Sequence, residues 1–239
     1  MEVDPVKMPR SKNRVLNTVD STTNFQITEA YKAFRTNVQF AVSASEGKCK
    51  RIAITSALPK EGKTITSINL AVTFAQTGAK VLLIDCDMRR PRIHRYYDLE
   101  SRVGLSNILS GMCTVADAVK KTTRENLHVI PAGLIPPNPA ELISSDAMKN
   151  TLDELSEAYD YIIIDTPPVN IVTDALALVP YVDGTVVVVR SAQSTHPETK
   201  KVLTKYEYAN APILGFVLNN VISSTTKGYT SKYRNYSYK

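Results

Sequence analysis

Apolar positions along the chain follow two different rhythms. Between residues 25 and 45, Ile27, Ala30, Tyr31, Phe34, Val38 and Val42 recur at helical spacing. That spacing predicts an amphipathic helix, with Thr28 as the candidate cap at its start and Gly47 and Lys48 as its end. Six later runs, residues 51–55, 80–84, 127–131, 161–165, 184–190 and 213–219, are short and apolar at successive positions, as in VLLID, YIIID, TVVVVR and ILGFVLN. Strands apolar on both faces belong in a parallel sheet covered on both sides. Helical patterns fall between them at residues 64–77, 105–110, 115–118, 140–159, 174–179 and 196–210, and Gly78 sits where a left-handed C-terminal cap belongs. Strands alternating with helices require right-handed crossovers. The expected fold class is therefore α/β: a doubly wound, mostly parallel sheet with helices on both faces.

Both rhythms stop near the ends. Residues 1–24 have no hydrophobic periodicity and are expected to form a flexible arm. After Ile222 the chain contains no Leu, Ile, Val or Phe, so residues 223–239 are expected to be a disordered tail. The expected domain is residues 25–222. With 43% hydrophobic residues in a chain of 239, there is enough apolar material for one such domain. No apolar run approaches the ~18 residues of a membrane span, and the first residues lack the apolar core of a signal peptide. The expected location is cytoplasmic, at the inner face of the membrane only if a partner recruits the chain there. Cys49, Cys86 and Cys113 have no paired spacing and the three histidines do not cluster, which argues against a zinc site or a disulfide framework. The net charge of +6 is concentrated: residues 226–239 hold four cations and no acid.

The strongest chemical signal is RIAITSALPKEGKT, a β run entering a loop that ends Gly62-Lys63-Thr64 and opens a helix. It fits the phosphate-binding P-loop pattern except that Ala57 occupies the first glycine position. The candidate nucleotide cradle is Pro59, Lys60, Glu61, Gly62, Lys63, Thr64 and Ile65. Gly62 lets the backbone approach phosphate, and the new helix points free N–H groups and its positive end at the anion. Lys63 supplies a mobile charge and the Thr64 hydroxyl can ligate Mg²⁺. ATP and Mg²⁺ are the cofactors expected.

Three carboxylates lie directly after apolar strands: Asp85 and Asp87 in VLLIDCDMR, and Asp165 in YIIIDTPP. Ligands of open α/β sheets bind beyond the carboxyl ends of the strands, so these acids are expected near the phosphate loop. Asp165 fits a Walker B acid for Mg²⁺. One of Asp85 and Asp87 could orient or deprotonate an attacking hydroxyl or water while the other serves the metal. The candidate metal set is thus Thr64, Asp85, Asp87 and Asp165, and the candidate catalytic set Lys63, Asp85 and Asp87.

Together, SALPKEGKT, VLLIDCDMRRP and YIIIDTPP resemble the bacterial tyrosine kinases of capsule and exopolysaccharide synthesis, relatives of the partition and septum-site P-loop ATPases. IPPNPAELISS and PPVNIVTDALAL also look like stretches of this family, and the resemblance runs from about Thr28 to the C-terminus. It implies tyrosine autophosphorylation between subunits, with Asp85 the leading candidate for base and Asp87 and Asp165 organising the metal; spacing alone does not rank Asp85 against Asp87. Glu29, Lys32 and Arg35 occupy the positions of the family's oligomerisation motif, with Lys in place of a central Arg. Tyr229, Tyr233, Tyr236 and Tyr238 match its C-terminal tyrosine cluster and are the candidate phosphoacceptors. The partners implied are further copies of the chain, in a ring, a separate transmembrane activator or polysaccharide co-polymerase, and a cognate phosphotyrosine phosphatase; no nucleic acid is expected. The alternative is a partition-like ATPase acting as a nucleotide-dependent oligomerisation switch. That branch carries an extra lysine early in the loop, where this chain has Leu58.

Overall fold

The six apolar runs pair as parallel strands, joined by one short addition. A computed structural model describes Thr18, Val19 and residues 23–221. Its strands are β1 (Lys50–Ser56), β2 (Val81–Asp85), β3 (Lys120–Lys121), β4 (Leu127–Ile130), β5 (Tyr161–Asp165), β6 (Gly184–Arg190) and β7 (Ile213–Asn219). They form one seven-stranded sheet in the order β3-β4-β2-β5-β1-β6-β7. Only β3 runs antiparallel, against β4. It was not foreseen, because two consecutive lysines carry no strand rhythm.

Alternation along the central strands sorts their side chains between two faces. Leu83 and Ile163 join Ile52 and Ile54 on one face, beneath α1 (Phe25–Ala41) and α2 (Lys63–Ala75), where Val38, Ile68 and Val72 are buried. Leu82, Ile84, Ile162 and Ile164 point the other way. There they meet α4 (Leu105–Leu109) and α7 (Asp146–Ala158) through Leu105, Met148, Leu152 and Leu155. A third cluster packs Val187 against Val202 and Tyr206 of α9 (His196–Tyr208). The short helices α3 (Ile93–Tyr96), α5 (Val115–Ala118), α6 (Pro139–Ile143) and α8 (Asp174–Ala177) complete the connections.

Several boundaries differ from the expectation. The first helix ends at Ala41, before Gly47, and its cap is Asn24, whose side chain accepts from the Gln26 N–H; Thr28 lies inside the helix. The helix expected over residues 140–159 is two helices, because Ser145 leaves helical geometry and caps α7 by accepting from Met148 N–H. α3 was not foreseen, and residues 174–179 divide into α8 and a 3₁₀ turn, Val179–Tyr181. β7 is an edge strand rather than one covered on both faces, with Phe216 and Leu218 exposed. Gly78 takes the left-handed conformation expected of it, with φ 87°. Most of the arm and all of the tail, including the four candidate acceptor tyrosines, lie outside the described residues. Val19 is an anchored exception: it is buried, and its N–H donates to the Asn69 side chain at 2.9 Å.

Leu83 lies wholly inside the sheet, so its replacement by Ala opens a cavity under α2. Leu83→Ala is expected to lower unfolding free energy by about 2–5 kcal/mol in a urea titration. A loss below ~1 kcal/mol would mean that this face is not close-packed.

Candidate functional site

β1 delivers the chain to a loop whose geometry rests on one residue. Gly62 is the N-cap of α2 at φ 97°, and no side chain caps that helix. The N–H groups of its first turn are therefore left for an anion. A Cβ on Gly62 would lie 1.9 Å from the Asn219 Nδ2 atom. That same nitrogen donates to the Glu61 carbonyl at 3.0 Å, so the end of β7 clamps the loop. Asn219 thus serves the cradle.

Other ties hold the loop from the β6–α9 side. The Arg190 guanidinium donates to the Lys60 carbonyl at 2.8 Å. The buried Glu61 carboxylate accepts from Leu58 N–H and from the Ser194 hydroxyl. Lys60 itself takes a left-handed φ of 69°. Pro59, Lys60 and Glu61 thus shape the loop, whereas Gly62, Lys63, Thr64 and Ile65 form the bend and the open helix end. Arg190, Ser194 and Asn219 were not recognisable as loop supports from sequence, since each lies more than 120 residues away from it.

The predicted acids come to this loop from two neighbouring strands. Asp85 and Asp165 are register partners at the ends of β2 and β5. Lys63 Nζ lies 2.8 Å from Asp87 Oδ2 and 3.8 Å from Asp165 Oδ2. Asp165 also accepts from the Thr64 hydroxyl at 2.7 Å and the Ser67 hydroxyl at 3.1 Å. Ser67, one helical turn beyond Lys63, was not singled out in the sequence. Asp85 is fully buried and accepts backbone N–H bonds from Asp87, Arg92 and Ile93.

The electrostatics follow from that packing. Burial, then the neighbouring Asp165 carboxylate, pushes the Asp85 carboxyl up to about 7. Burial likewise raises Asp165, against the pull of Lys63 and Thr64. For Lys63, burial disfavours the ammonium, but the Asp165 and Asp87 carboxylates outweigh it and its pKa is raised. The acids do not converge as a ready-made cage: among the described residues no three His, Cys, Asp or Glu side chains could hold a metal ion by themselves. The residues nevertheless fit a nucleotide phosphate chain, with a left-handed glycine, an uncapped helix end and a buried ammonium at one point.

Two further groups of charged residues have definite partners. Arg89 forms a two-pronged pair with the buried Asp174, at 2.9 and 3.0 Å. On α1, Glu29 and Lys32 pair with each other at 2.8 Å, while Arg35 turns to the Thr73 carbonyl of α2 at 3.0 Å. Tyr96 and Tyr97 pack against the core.

Comparison with known proteins agrees with this geometry. A family model described as an AAA domain matches residues 49–205. The tyrosine-protein kinase YwqD of Bacillus subtilis (strain 168) is 42% identical over 191 residues, covering 80% of each chain. The kinase domain of the Escherichia coli tyrosine kinase ETK superposes with a TM-score of 0.79 at 34% identity, over 88% of this chain and 80% of that one. The septum site-determining protein MinD of Pyrococcus horikoshii OT3, solved with Mg-ADP, gives a TM-score of 0.61 at 25% identity over 71% and 70%.

Two substitutions probe the supports. Asn219→Ala removes the clamp on the Glu61 carbonyl, and ADP affinity measured by calorimetry is expected to fall about five- to tenfold. Arg89→Ala strands the Asp174 carboxylate in the core. It is expected to cost about 2–3 kcal/mol in denaturant unfolding, less than for a fully buried pair because Arg89 is partly exposed. Arg89→Ala/Asp174→Ala should recover part of that loss; no recovery would mean that the pair is not what fixes this loop.

Proposed function

The chain belongs to the bacterial protein-tyrosine kinases, and from that premise we propose that it uses ATP and Mg²⁺ to phosphorylate its own C-terminal tyrosines, Tyr229, Tyr233, Tyr236 and Tyr238, from one copy to another. The observation that carries the reading is the buried grouping of Lys63, Asp87 and Asp165 at the mouth of the Gly62 cradle. Bound ATP and Mg²⁺ supply the transferable phosphoryl group and the counter-charge for it. Lys63 and the first N–H groups of α2 hold the phosphates. Thr64 and Asp165 would hold the cation, in keeping with the way Mg²⁺ is usually held by one or two carboxylates together with substrate phosphates. Asp87 fixes Lys63 in place and remains within the metal region. Asp85, whose carboxylate has no cationic side chain bonded to it, would take the proton from the acceptor hydroxyl as that oxygen bonds to the γ-phosphorus and the bond from that phosphorus to the ADP oxygen breaks, releasing ADP.

The biological part of the proposal rests on the family resemblance. It assigns the chain to the control of capsular or exopolysaccharide synthesis and export, with a transmembrane activator recruiting it to the inner face of the membrane and a phosphatase reversing the modification. Among the described residues no helix is long and apolar enough to cross a membrane. Glu29 and Lys32, both half-exposed on α1, are available for contacts between copies in a ring. Arg35, further along the same helix, is tied to the Thr73 carbonyl of α2. A second reading, the nucleotide-dependent ATPase switch, draws support from the MinD likeness; Leu58 in place of the early lysine weighs against it.

Incubation of the pure protein with ATP and Mg²⁺, followed by phosphosite mapping, tests the proposal. Phosphotyrosine confined to residues 229–238 is expected, and replacing the four tyrosines with Phe should remove most of the signal. Lys63→Met should lower phosphorylation at least about a hundredfold, with the circular dichroism spectrum retained. Phosphate release without phosphotyrosine would favour the ATPase switch, and full activity in Lys63→Met would remove the P-loop assignment.

A further inference from the structure

Beyond the nucleotide cradle, the loop after β2 builds a second place for an anion. Residues 89–102 carry five arginines in 14 positions, and with the loop after β4 they line a basin of about 550 Å³. Arg89 is neutralised by Asp174. Arg102 lies only at the 4.0 Å limit from Glu100. Arg90, Arg92 and Arg95 are exposed, and among the described residues no carboxylate lies within ion-pair distance of them. Burial, then Arg95, lowers the pKa of His94, so the charge of the basin comes from its guanidinium groups. The opposite rim is apolar: Leu134 and Ile135 are 55% and 66% exposed.

Guanidinium groups facing an apolar rim suit a ligand with a dianion at one end and a flat ring behind it. Arg pairs with phosphate through two parallel hydrogen bonds, and a phenyl ring can cover aliphatic side chains. Phosphotyrosine has that form. The chain also carries a source of it: residues 226–239 hold four tyrosines and four cations without an acid. Unmodified, this segment is repelled by the basin. Each phosphate adds about −1.5 to −2 charges, so four of them convert the segment from +4 to about −2 to −4. Reach is sufficient. From Val221 to Tyr229 is eight residues, ~26 Å when extended, and β7 lies four strand spacings from β2, ~19 Å.

We propose that the basin formed by Arg90, Arg92 and Arg95 with Leu134 and Ile135 is a docking site for the phosphorylated C-terminal segment, residues 226–239, of this chain or of a neighbouring copy, and that it rejects the unmodified segment. This rests on the reading that the tail tyrosines receive phosphate. The site is coupled to the chemistry through its backbone. Arg90 N–H donates to Asp87 Oδ1 at 3.1 Å and Arg92 N–H to Asp85 Oδ2 at 2.9 Å. An occupant held by these arginines therefore bears on the loop that positions both acids.

The test uses synthetic peptides, so it does not depend on the protein's own kinase activity. Fluorescence anisotropy would compare residues 226–239 carrying four phosphotyrosines, the unmodified peptide, and a peptide with phosphoserine at the four positions, in the presence of saturating ADP to occupy the cradle. The phosphotyrosine peptide is expected to bind at least about tenfold more tightly than either of the others, with affinity falling as salt rises. Arg95→Glu should reduce that preference at least about threefold while leaving ADP affinity and thermal unfolding unchanged, and Leu134→Ser/Ile135→Ser should erase the advantage of phosphotyrosine over phosphoserine. Equal binding of the phosphorylated and unmodified peptides, or undiminished preference in Arg95→Glu, would overturn the proposal. So would arginine-dependent binding of phosphatidylglycerol vesicles with no peptide preference, which would make the basin a membrane contact. A failure to detect phosphotyrosine after incubation with ATP, with peptide binding intact, would count against the kinase acceptor assignment and not against the basin.

Discussion

Lys63 carries its ammonium in a site where only 9% of the residue is exposed, and the arrangement around it answers that cost. A charge taken from water needs opposite charge and hydrogen bonds at close range. Asp87 and Asp165 supply them, and each is held in turn: Asp165 by the Thr64 and Ser67 hydroxyls, Asp87 by Arg90 N–H. Asp85 is the third carboxylate in this space, against a single ammonium. It has backbone N–H donors but no bonded cation, and burial, then the neighbouring Asp165 carboxylate, pushes its carboxyl up to about 7. The cluster is short of positive charge, which is the condition under which a divalent cation entering with a nucleotide is favoured.

That cluster exists because of how the sheet is wired. β1 leads into α2, which crosses back over the sheet, and β2 and β5 run parallel beside β1. Their carboxyl ends share one edge, so residues 63, 85, 87 and 165 meet although they are spread over about a hundred positions of chain. The loops at this edge would be mobile if left to themselves. They are tied instead to later parts of the chain: the P-loop to β7 through Asn219 and to the β6–α9 turn through Arg190 and Ser194, and the loop after β2 to Asp174 through Arg89. The last third of the domain therefore fixes the geometry of a site whose charged residues come mostly from the first.

What could be read from the sequence follows the same division. VLLID and YIIID announce themselves because a strand covered on both faces has no polar position to interrupt it, and Gly62-Lys63-Thr64 because backbone, charge and hydroxyl must follow one another in order. Asn219, Ser194 and Asp174 carry no such signal. An Asn after a strand has many uses, and nothing local says that its amide will lie over a glycine more than 150 residues earlier. The end of the first helix was also misplaced, since Val42 and Gly47 suggest continuation to a glycine stop whereas the chain leaves helical geometry after Ala41. The split between α6 and α7 follows from Ser145, whose hydroxyl competes for a backbone N–H, a contest that periodicity does not register.

The MinD likeness covers 71% of this chain and the kinase likeness 88%, and what the two have in common has a physical reason. Holding a phosphate chain requires the glycine bend, the open helix end, a lysine and acids at strand ends, whatever the phosphoryl group is later given to. Those parts cannot distinguish an ATPase from a kinase. The distinction lies in which oxygen arrives, water's or a tyrosine's, and hence in chain segments outside the cradle. Here the segment after β7 is rich in tyrosine and basic, and the loop beside the acids holds Arg90, Arg92 and Arg95 with no carboxylate in ion-pair distance among the described residues. Two like-charged elements are costly to keep close unless something reverses the charge of one of them. Phosphorylation of tyrosine does so, and water as the acceptor would not. Under the docking proposed above, the charges of the tail and of this loop become complementary only when tyrosine is the acceptor.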